Sequence, residues 1–228
     1  MRHATVALAT LWLGLGLAGA QAQAPPAGEA QGAPAASTAS GEGPTEVVQN
    51  AAQGMLGELD KDRDAFRRDP EKVRQLIDKY LLPHFDTQYS ATLVLGRHWR
   101  TATPEQRKRF VDAFYQSLLN NYGNALVEFT AERLKIYPNK ADPDAKLVTV
   151  RTEVKRANGD RVAVNYYLRR TPQGWKAWDV VIDGISYVNS YRTDFGEQIE
   201  AQGLDAVIKR LESGERPEAI GRQAGRKS

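Results

Sequence analysis

Residues 95–110, with the sequence LGRHWRTATPEQRKRF, form the densest group of side chains that could bind an anion. The stretch holds four arginines, a lysine, a histidine and a tryptophan within sixteen residues. Guanidinium groups beside an aromatic ring are typical of phosphate and nucleic-acid sites. The same stretch also has the pattern of a helix start, because Thr103 suits the N-cap, a proline follows it, and Gln106 completes a capping box. Helix initiation explains residues 101–106 but leaves Arg97 and Arg100 without a role.

Residues suited to catalysis or to metal binding are few. Beyond residue 22 the chain has two histidines, His84 and His98, and it has no cysteine. No HExxH, GxSxG or P-loop pattern occurs in the sequence. The spacing of His84 and Asp86 permits a dyad, but Asp86 is better explained as the N-cap of the next helix. We therefore expect no catalytic residue, no metal and no cofactor.

The N-terminal residues predict export. A basic residue, Arg2, precedes an apolar run from residue 4 to residue 19, and Ala-Gln-Ala at residues 20–22 suits cleavage. We assign residues 1–22 to a cleaved signal peptide. Residues 23–44 consist mainly of alanine, proline, glycine and serine, contain no large apolar residue, and predict a disordered linker.

The rest of the chain predicts one folded domain over residues 45–213, followed by a polar tail over residues 214–228. Without cysteine, this domain depends on its core alone for stability. The formal net charge of the whole chain is +3, and loss of Arg2 leaves it near neutral. This balance argues against nucleic-acid binding, which usually requires a concentrated basic face.

Hydrophobic periodicity predicts helices before and after a group of strands along the chain. Helical spacing is seen from Thr45, from Asp69 to Tyr80, from Asp86 to Gly96, in a long helix after Thr103 with a break at Gly123, and over residues 187–201 and 204–212. Alternating segments RLKIYP, KLVTVRTEVKR, RVAVNYYLRR and WKAWDVVIDG predict four strands. The order predicts an α+β fold, with helices packed on one face of a curved four-stranded antiparallel sheet.

The apolar residues exceed what one helix stripe requires. The long helix carries nine large apolar side chains, and the inward sheet face is rich in valine. Two interpretations follow: an ordinary filled core, or helices and sheet held apart around an apolar pocket. Composition alone does not choose between them.

The chain resembles the MlaC family of periplasmic phospholipid-binding proteins, also known as toluene-tolerance auxiliary components. The resemblance begins with VLGRHWRTATPEQRKRFVDAF at residues 94–114. It continues through LLNNYGNAL at 118–126, WKAWDVVIDGISYV at 175–188 and YRTDF at 191–195. The order and spacing of these segments make the match specific over residues 46–212. The linker at residues 23–44 is longer than in other members.

The resemblance implies a soluble periplasmic carrier without catalysis, expected to be a monomer. Such proteins exchange phospholipid between an outer-membrane lipoprotein complex and an inner-membrane ABC transporter complex, and so support the lipid asymmetry of the outer membrane. Their acyl chains enter a pocket between helices and a four-stranded sheet. The alternatives that we keep are a small-molecule enzyme on the same kind of fold and an interaction module with a filled core.

Combining this resemblance with the apolar stripes, we expect eight residues to line an acyl-chain pocket: Phe114, Leu118, Tyr122, Val150, Val164, Tyr166, Val180 and Ile182. Trp99 is expected to pack on the domain. Three roles stay open for Arg97 and Arg100, namely contact with a lipid phosphate, docking to an acidic partner surface, and simple solvation. Because they precede the Thr103 cap, we expect both arginines in a surface loop.

Overall fold

The computed structural model describes residues 41–127, 130, 133–139, 142, 144–155 and 158–215. The predicted signal peptide and almost all of the predicted linker and tail lie outside these ranges. Among the described helices, none combines the length and the apolar character that a bilayer crossing requires.

Helices precede and follow an antiparallel sheet, which confirms the predicted α+β class. The first group comprises α1 (Pro44–Leu59), α2 (Arg63–Arg68), α3 (Pro70–Tyr80), a 3₁₀ turn (Leu82–His84), α4 (Thr87–Leu95), α5 (Arg97–Thr101) and α6 (Pro104–Val127). The strands are β1 (Leu134–Ile136), β2 (Leu147–Lys155), β3 (Arg161–Thr171), β4 (Gly174–Ile182) and β5 (Ile185–Ser186), paired in that order. The chain continues through α7 (Tyr187–Gln202) and α8 (Leu204–Glu212).

The predicted caps form as the side-chain chemistry requires. The Asp86 carboxylate accepts a hydrogen bond from the backbone N–H of Tyr89 at 3.0 Å and so begins α4. At the start of α6, the Thr103 hydroxyl accepts from the N–H of Gln106 at 3.1 Å, and the Gln106 amide accepts from the N–H of Thr103 at 3.0 Å. These bonds satisfy backbone donors that have no partner within the helix.

Three local predictions differ from the structure. Residues 97–101 form the one-turn helix α5 instead of a loop, because Gly96 turns the chain sharply at φ 52° and ψ −119° between α4 and α5. The predicted break at Gly123 is absent, and α6 is continuous through it. A fifth strand follows a turn in which Asp183 and Gly184 have positive φ, and its two residues are too few to produce an alternating pattern.

The sheet has two chemically different faces. Cross-strand pairing of Val150 with Tyr166, of Tyr166 with Val180, and of Val164 with Ile182 places these five residues on one face, which we call the inner face. The opposite face, which we call the outer face, carries the alternate residues. A β-bulge at Trp178 shifts the alternation of β4, so that Ala177 and Trp175 lie on the inner face next to Leu168.

Helices contact both faces of the sheet. Val47 and Val48 of α1 pack on the inner face against Val150 and Leu168. On the outer side, the ring of Tyr89 in α4 meets the ring of Trp178 edge-on at 5.9 Å. The prediction placed all helices on one face, whereas the Tyr89–Trp178 contact brings α4 against the other.

A second apolar core lies among the helices. It contains buried side chains of α4, α6, α7 and α8, which are Ala91, Val94, Leu95, Phe110, Ala113, Phe114, Val188, Tyr191, Phe195, Ile199, Val207, Ile208 and Leu211. We call this set the helical core. A separate cluster joins α1 and α3 to the end of α6 through Met55, Leu56, Leu59, Val73, Leu76, Ile77 and Val127.

Gly54 permits close packing of α1 against α3, and its replacement by alanine is expected to destabilise the protein. A Cβ at residue 54 would lie 2.4 Å from Cδ1 of Tyr80, whose hydroxyl donates a hydrogen bond to Glu58. Overpacking of this kind costs about 1 to 3 kcal/mol, which exceeds the gain of up to about 1 kcal/mol from helix propensity. Urea denaturation measures the difference.

The control is Gly57→Ala in the same helix. A Cβ at residue 57 meets nothing within 4 Å, so this change is expected to stabilise the protein by about 0.5 to 1 kcal/mol. Equal effects of Gly54→Ala and Gly57→Ala would contradict the close contact between α1 and α3.

Candidate functional site

Five of the eight residues predicted to line a pocket lie together on the inner face. Val150, Val164, Tyr166, Val180 and Ile182 come from three adjacent strands and are joined by direct or diagonal cross-strand pairing. Val150 is fully buried and Val164 is almost so, whereas Val180 and Ile182 are partly accessible. The sheet therefore presents a continuous aliphatic surface around one phenol ring.

Tyr166 lies at the centre of this surface, paired with Val150 on one side and Val180 on the other. Burial raises the pKa of its phenol to about 12. The side chain nevertheless keeps some solvent-accessible surface, and its hydroxyl makes no hydrogen bond to any residue that the structure describes. Tyr166 is therefore a partly accessible phenol in an otherwise aliphatic surface.

The walls near Tyr166 are apolar and have their polar groups satisfied. Thr152 is the buried polar residue of β2 on this face, and its hydroxyl donates to the Val164 carbonyl at 2.6 Å. Leu134 of β1 packs at one end of the inner face. At the other end, Trp175 is buried against α1. A surface of this composition suits hydrocarbon better than a polar ligand.

Two of the three predicted helix residues, Phe114 and Leu118, pack in the helical core and not on the inner face. Phe114 is buried in the helical core, where its ring lies 5.0 Å from that of Tyr191 and 5.6 Å from that of Phe110. Leu118 packs against the same core and is partly buried. Tyr122 belongs to α6, but its side chain lies outside the described part of the chain. The inner-face residues and Phe114 thus belong to two different apolar clusters.

Arg97 and Arg100 are exposed on α5. The Arg97 guanidinium forms an ion pair with Glu200 of α7, and Arg97 retains 66% of its side-chain surface. Within the described ranges, the Arg100 side chain makes neither an ion pair nor a hydrogen bond. Trp99 packs against the helical core as predicted, and the Arg107 guanidinium lies 5.2 Å above its ring.

A surface depression of about 470 Å³ borders this part of the molecule. Its lining is mixed, with Trp99 and Val111 beside charged Lys108 and Asp112. Lys108 and Asp112 form an ion pair at 2.8 Å across one turn of α6. The depression is open to solvent and has charged side chains in its lining.

The candidate acid–base residues are occupied by structural contacts. The Asp86 carboxylate forms an ion pair with Arg169 at 2.7 Å in addition to capping α4, and it makes no bond to His84. Asp179 is buried and accepts hydrogen bonds from the Ser186 hydroxyl and the Val188 N–H. Nowhere in the described ranges do three His, Cys, Asp or Glu side chains converge as metal ligands would.

Sequence reasoning missed the part of the inner face that the bulge creates. Trp175 and Ala177 join Leu168 there because the bulge at Trp178 reverses the alternation of β4. Asp179 also fixes the first turn of α7, because its carboxylate accepts a hydrogen bond from the N–H of Val188. Asp179 lies seven residues before the Ser186 N-cap, so the local capping pattern does not reveal this role.

Comparison with known proteins places this fold and sequence in one family. The family model described as "MlaC protein" matches residues 49–213. Toluene tolerance protein ttg2D of Pseudomonas putida is 31% identical over 169 residues, which are 74% of this chain and 78% of that protein. The intermembrane phospholipid transport system binding protein MlaC of Haemophilus influenzae is 24% identical over 172 residues, covering 74% and 80% of the two chains.

A solved structure agrees with the sequence comparisons. The phospholipid-binding protein of Ralstonia solanacearum, determined in complex with a phospholipid, is 30% identical to this chain and superposes with a TM-score of 0.68. The match covers 74% of this chain and 94% of that one. Fold, sequence and length of match all agree, and the chain therefore belongs to the MlaC family.

Proposed function

We propose that this protein is a phospholipid carrier whose acyl chains occupy the space beside the inner face of the sheet. The observation that carries the proposal is the continuous aliphatic inner face, on which Tyr166, Val180 and Ile182 remain partly accessible. A relative of 30% identity with the same fold was determined with a phospholipid bound. The lining residues proposed on the sheet are Val150, Val164, Tyr166, Val180 and Ile182.

The energetics of hydrocarbon burial set the demands on such a site. Burial of each CH₂ group is worth about 0.8 kcal/mol, so two chains of about sixteen carbons represent on the order of 25 kcal/mol. A carrier that left half of this surface in water would not extract lipid from a bilayer. A carrier that encloses both chains provides about the same free energy of burial as the bilayer already does. The protein therefore holds lipid, and the direction of transfer must come from its partners.

The proposed setting is the periplasm, reached by cleavage of the signal peptide at residues 1–22. The proposed partners are an outer-membrane lipoprotein complex and an inner-membrane ABC transporter complex, with the carrier acting as a monomer between them. The Haemophilus influenzae relative is named as the binding protein of an intermembrane phospholipid transport system, which supports this assignment. Catalysis has no part in the proposal.

Lipid analysis of the protein purified from the periplasm tests the carrier function. Organic extraction followed by mass spectrometry is expected to recover close to one phospholipid per protein molecule. Recovery of another small molecule would favour an enzyme, and recovery of no ligand after gentle purification would favour an interaction module with a filled core. Either result would overturn the carrier proposal.

The roles of Arg97 and Arg100 can be tested by changing both residues to glutamate. Exposed ion pairs such as Arg97–Glu200 contribute under about 1 kcal/mol, so the melting temperature is expected to change by only a few degrees. If the two arginines dock to an acidic partner surface, lipid exchange with partner complexes slows most at low salt, because exposed charges are screened beyond about 10 Å at 0.1 M. Fluorescent-lipid transfer to reconstituted partners measures this rate.

Two results of the Arg97→Glu/Arg100→Glu experiment would contradict a docking role. A large loss of thermal stability would make the arginines structural. An exchange rate that is unchanged at every ionic strength would leave them solvated. The matched control is Arg68→Glu/Lys72→Glu on α2 and α3, which makes the same change in net charge at exposed residues outside α5.

A further inference from the structure

The outer face of the sheet is rich in basic side chains. Strand register places six of them on this face, namely Lys135, Arg151, Lys155, Arg161, Arg169 and Lys176. Among the described strand residues of the same face, the carboxylates are Glu153 and Asp179. Asp179 is buried beneath the start of α7, where Ser186 and Val188 occupy its oxygens. The face thus has a strong positive excess on a chain whose net charge is only +3.

Structural contacts account for part of this charge but leave its centre unpaired. The engaged groups are Arg161 with Glu153 at 2.5 Å, Arg169 with Asp86 at 2.7 Å, and Lys176 with the Pro83 carbonyl at 3.1 Å. Arg151 and Lys155 are exposed, and neither side chain makes an ion pair or hydrogen bond with the residues that the structure describes. Both lie on β2, so they form a pair of exposed cations along one strand.

An exposed leucine lies on the same strand and the same face. Leu147 retains 63% of its surface. Among the residues that the structure describes, it is the one large apolar residue that is exposed. At about 3.4 Å per residue, Leu147 and Lys155 mark the ends of a row about 27 Å long. A depression of about 400 Å³ lies beside Arg151 between Tyr137 and Asn165.

We propose that the outer face of the sheet associates with a bilayer surface that contains anionic lipid. Arg151 and Lys155 contact the lipid phosphates, and Leu147 enters the headgroup region. The chemistry favours a bilayer over a protein partner, because protein interfaces usually bury an apolar centre, and among the described residues of this face Leu147 is the one large apolar side chain that is exposed. Exposed cations beside one exposed apolar residue suit surface association with anionic lipid.

Helices α2 and α3 carry a comparable pair of exposed basic residues whose neighbours in the sequence are acidic. On α2 and α3, Arg68 and Lys72 are also exposed and also four residues apart, but carboxylates of Asp64, Asp69 and Glu71 surround them in the sequence. The two pairs have the same residue types and the same spacing. Arg68 and Lys72 are therefore a matched control for Arg151 and Lys155.

The experiment measures co-sedimentation of the full mature chain with two kinds of vesicle. One is pure phosphatidylcholine, and the other contains about a third phosphatidylglycerol. The wild type is expected to bind the anionic vesicles only, and to release them at high salt. A basic residue near an anionic surface contributes about fivefold in affinity, so Arg151→Glu/Lys155→Glu is expected to weaken binding by at least about 25-fold. Leu147→Ser is expected to weaken it about fivefold.

The control and the alternatives decide the outcome. Arg68→Glu/Lys72→Glu makes the same change in net charge and is expected to leave vesicle binding within about twofold of the wild type. Equal loss in both double variants would reduce the effect to net charge and overturn the proposal. Equal binding to both vesicle types, or no binding by the wild type, would also overturn it. If the variant instead loses association with a purified acidic protein, the face belongs to that partner.

The test is independent of the carrier function. Arg151 and Lys155 point away from the inner face, so the double variant is expected to retain co-purified phospholipid and its melting temperature. Loss of vesicle binding with phospholipid retained would support the bilayer surface alone. Absence of phospholipid from every variant would contradict the carrier proposal and leave the vesicle result to be judged by itself.

Discussion

Replacing Val164 or Val180 by tryptophan is expected to expel phospholipid while the protein stays folded. Both residues belong to the cluster around Tyr166, and Val180 keeps accessible surface on the proposed cavity side. An added indole would occupy space that at least two methylene groups of an acyl chain need. At about 0.8 kcal/mol per buried methylene, the affinity is expected to fall more than about tenfold. Mass spectrometry of extracted lipid, normalised to folded protein, gives the measurement.

The adjacent residue of the same strand provides the control. Ala163 precedes Val164, is exposed, and lies on the outer face. Ala163→Trp adds the same ring without entering the inner face, so phospholipid content is expected to remain at the wild-type level. If the inner face is a filled core, Val164→Trp and Val180→Trp will instead cost about 1 to 3 kcal/mol or more, with lipid content unchanged. That result would contradict the cavity.

Local chemistry made much of this fold predictable. The caps at Asp86 and Thr103 and the closing helices α7 and α8 depend on interactions within a few residues, and such interactions leave a direct trace in the sequence. The alternation of β2 and β3 likewise reveals which residues share a face. These features need no knowledge of tertiary packing.

The features that escaped prediction arise from packing between distant segments. The hydrophobic pattern of β4 is compatible with either set of alternate residues facing inward. Only the pairing of β4 with β3, which includes the bulge at Trp178, fixes which side chains lie on the inner face. The positive φ of Gly96 allows α5 to form a separate turn, whereas a glycine after a helix more often leads into a loop. Strand β5 is too short for any periodicity to detect.

The candidate site could be predicted only in part, because packing between distant segments again decides which residues meet. The inner-face residues Val150, Val164 and Tyr166 follow from alternation alone, and the register brings them together. The stripe of α6 is so wide that its neighbours cannot be read from the sequence. Its first half packs in the helical core, and its last residues pack with α1 and α3. Phe114 was grouped with the sheet residues because both patterns are apolar, although the structure separates them.

This separation leads to the second large effect, which is expected at Phe114. Its ring is 5% exposed and contacts the rings of Phe110, Tyr191 and Phe195 at centroid distances of 5.6, 5.0 and 5.8 Å. Truncation of a buried phenylalanine to alanine costs about 3 to 5 kcal/mol, through lost burial and the cavity that remains. Phe114→Ala is therefore expected to lower the free energy of unfolding by that amount, measured by urea denaturation.

The diagnostic result is the combination of stability with lipid content. If Phe114 serves the helical core and not the pocket, the folded fraction of Phe114→Ala retains phospholipid at the wild-type level, the reverse of the pattern expected for Val180→Trp. Val111→Ala, one turn earlier and only partly buried, is the control and is expected to cost about 1 kcal/mol. Loss of phospholipid from Phe114→Ala with unchanged stability would instead indicate that Phe114, and with it the first half of α6, lines the pocket. A cavity beside the inner face and a filled core among the helices predict opposite responses to added and removed volume, so these variants together locate the site.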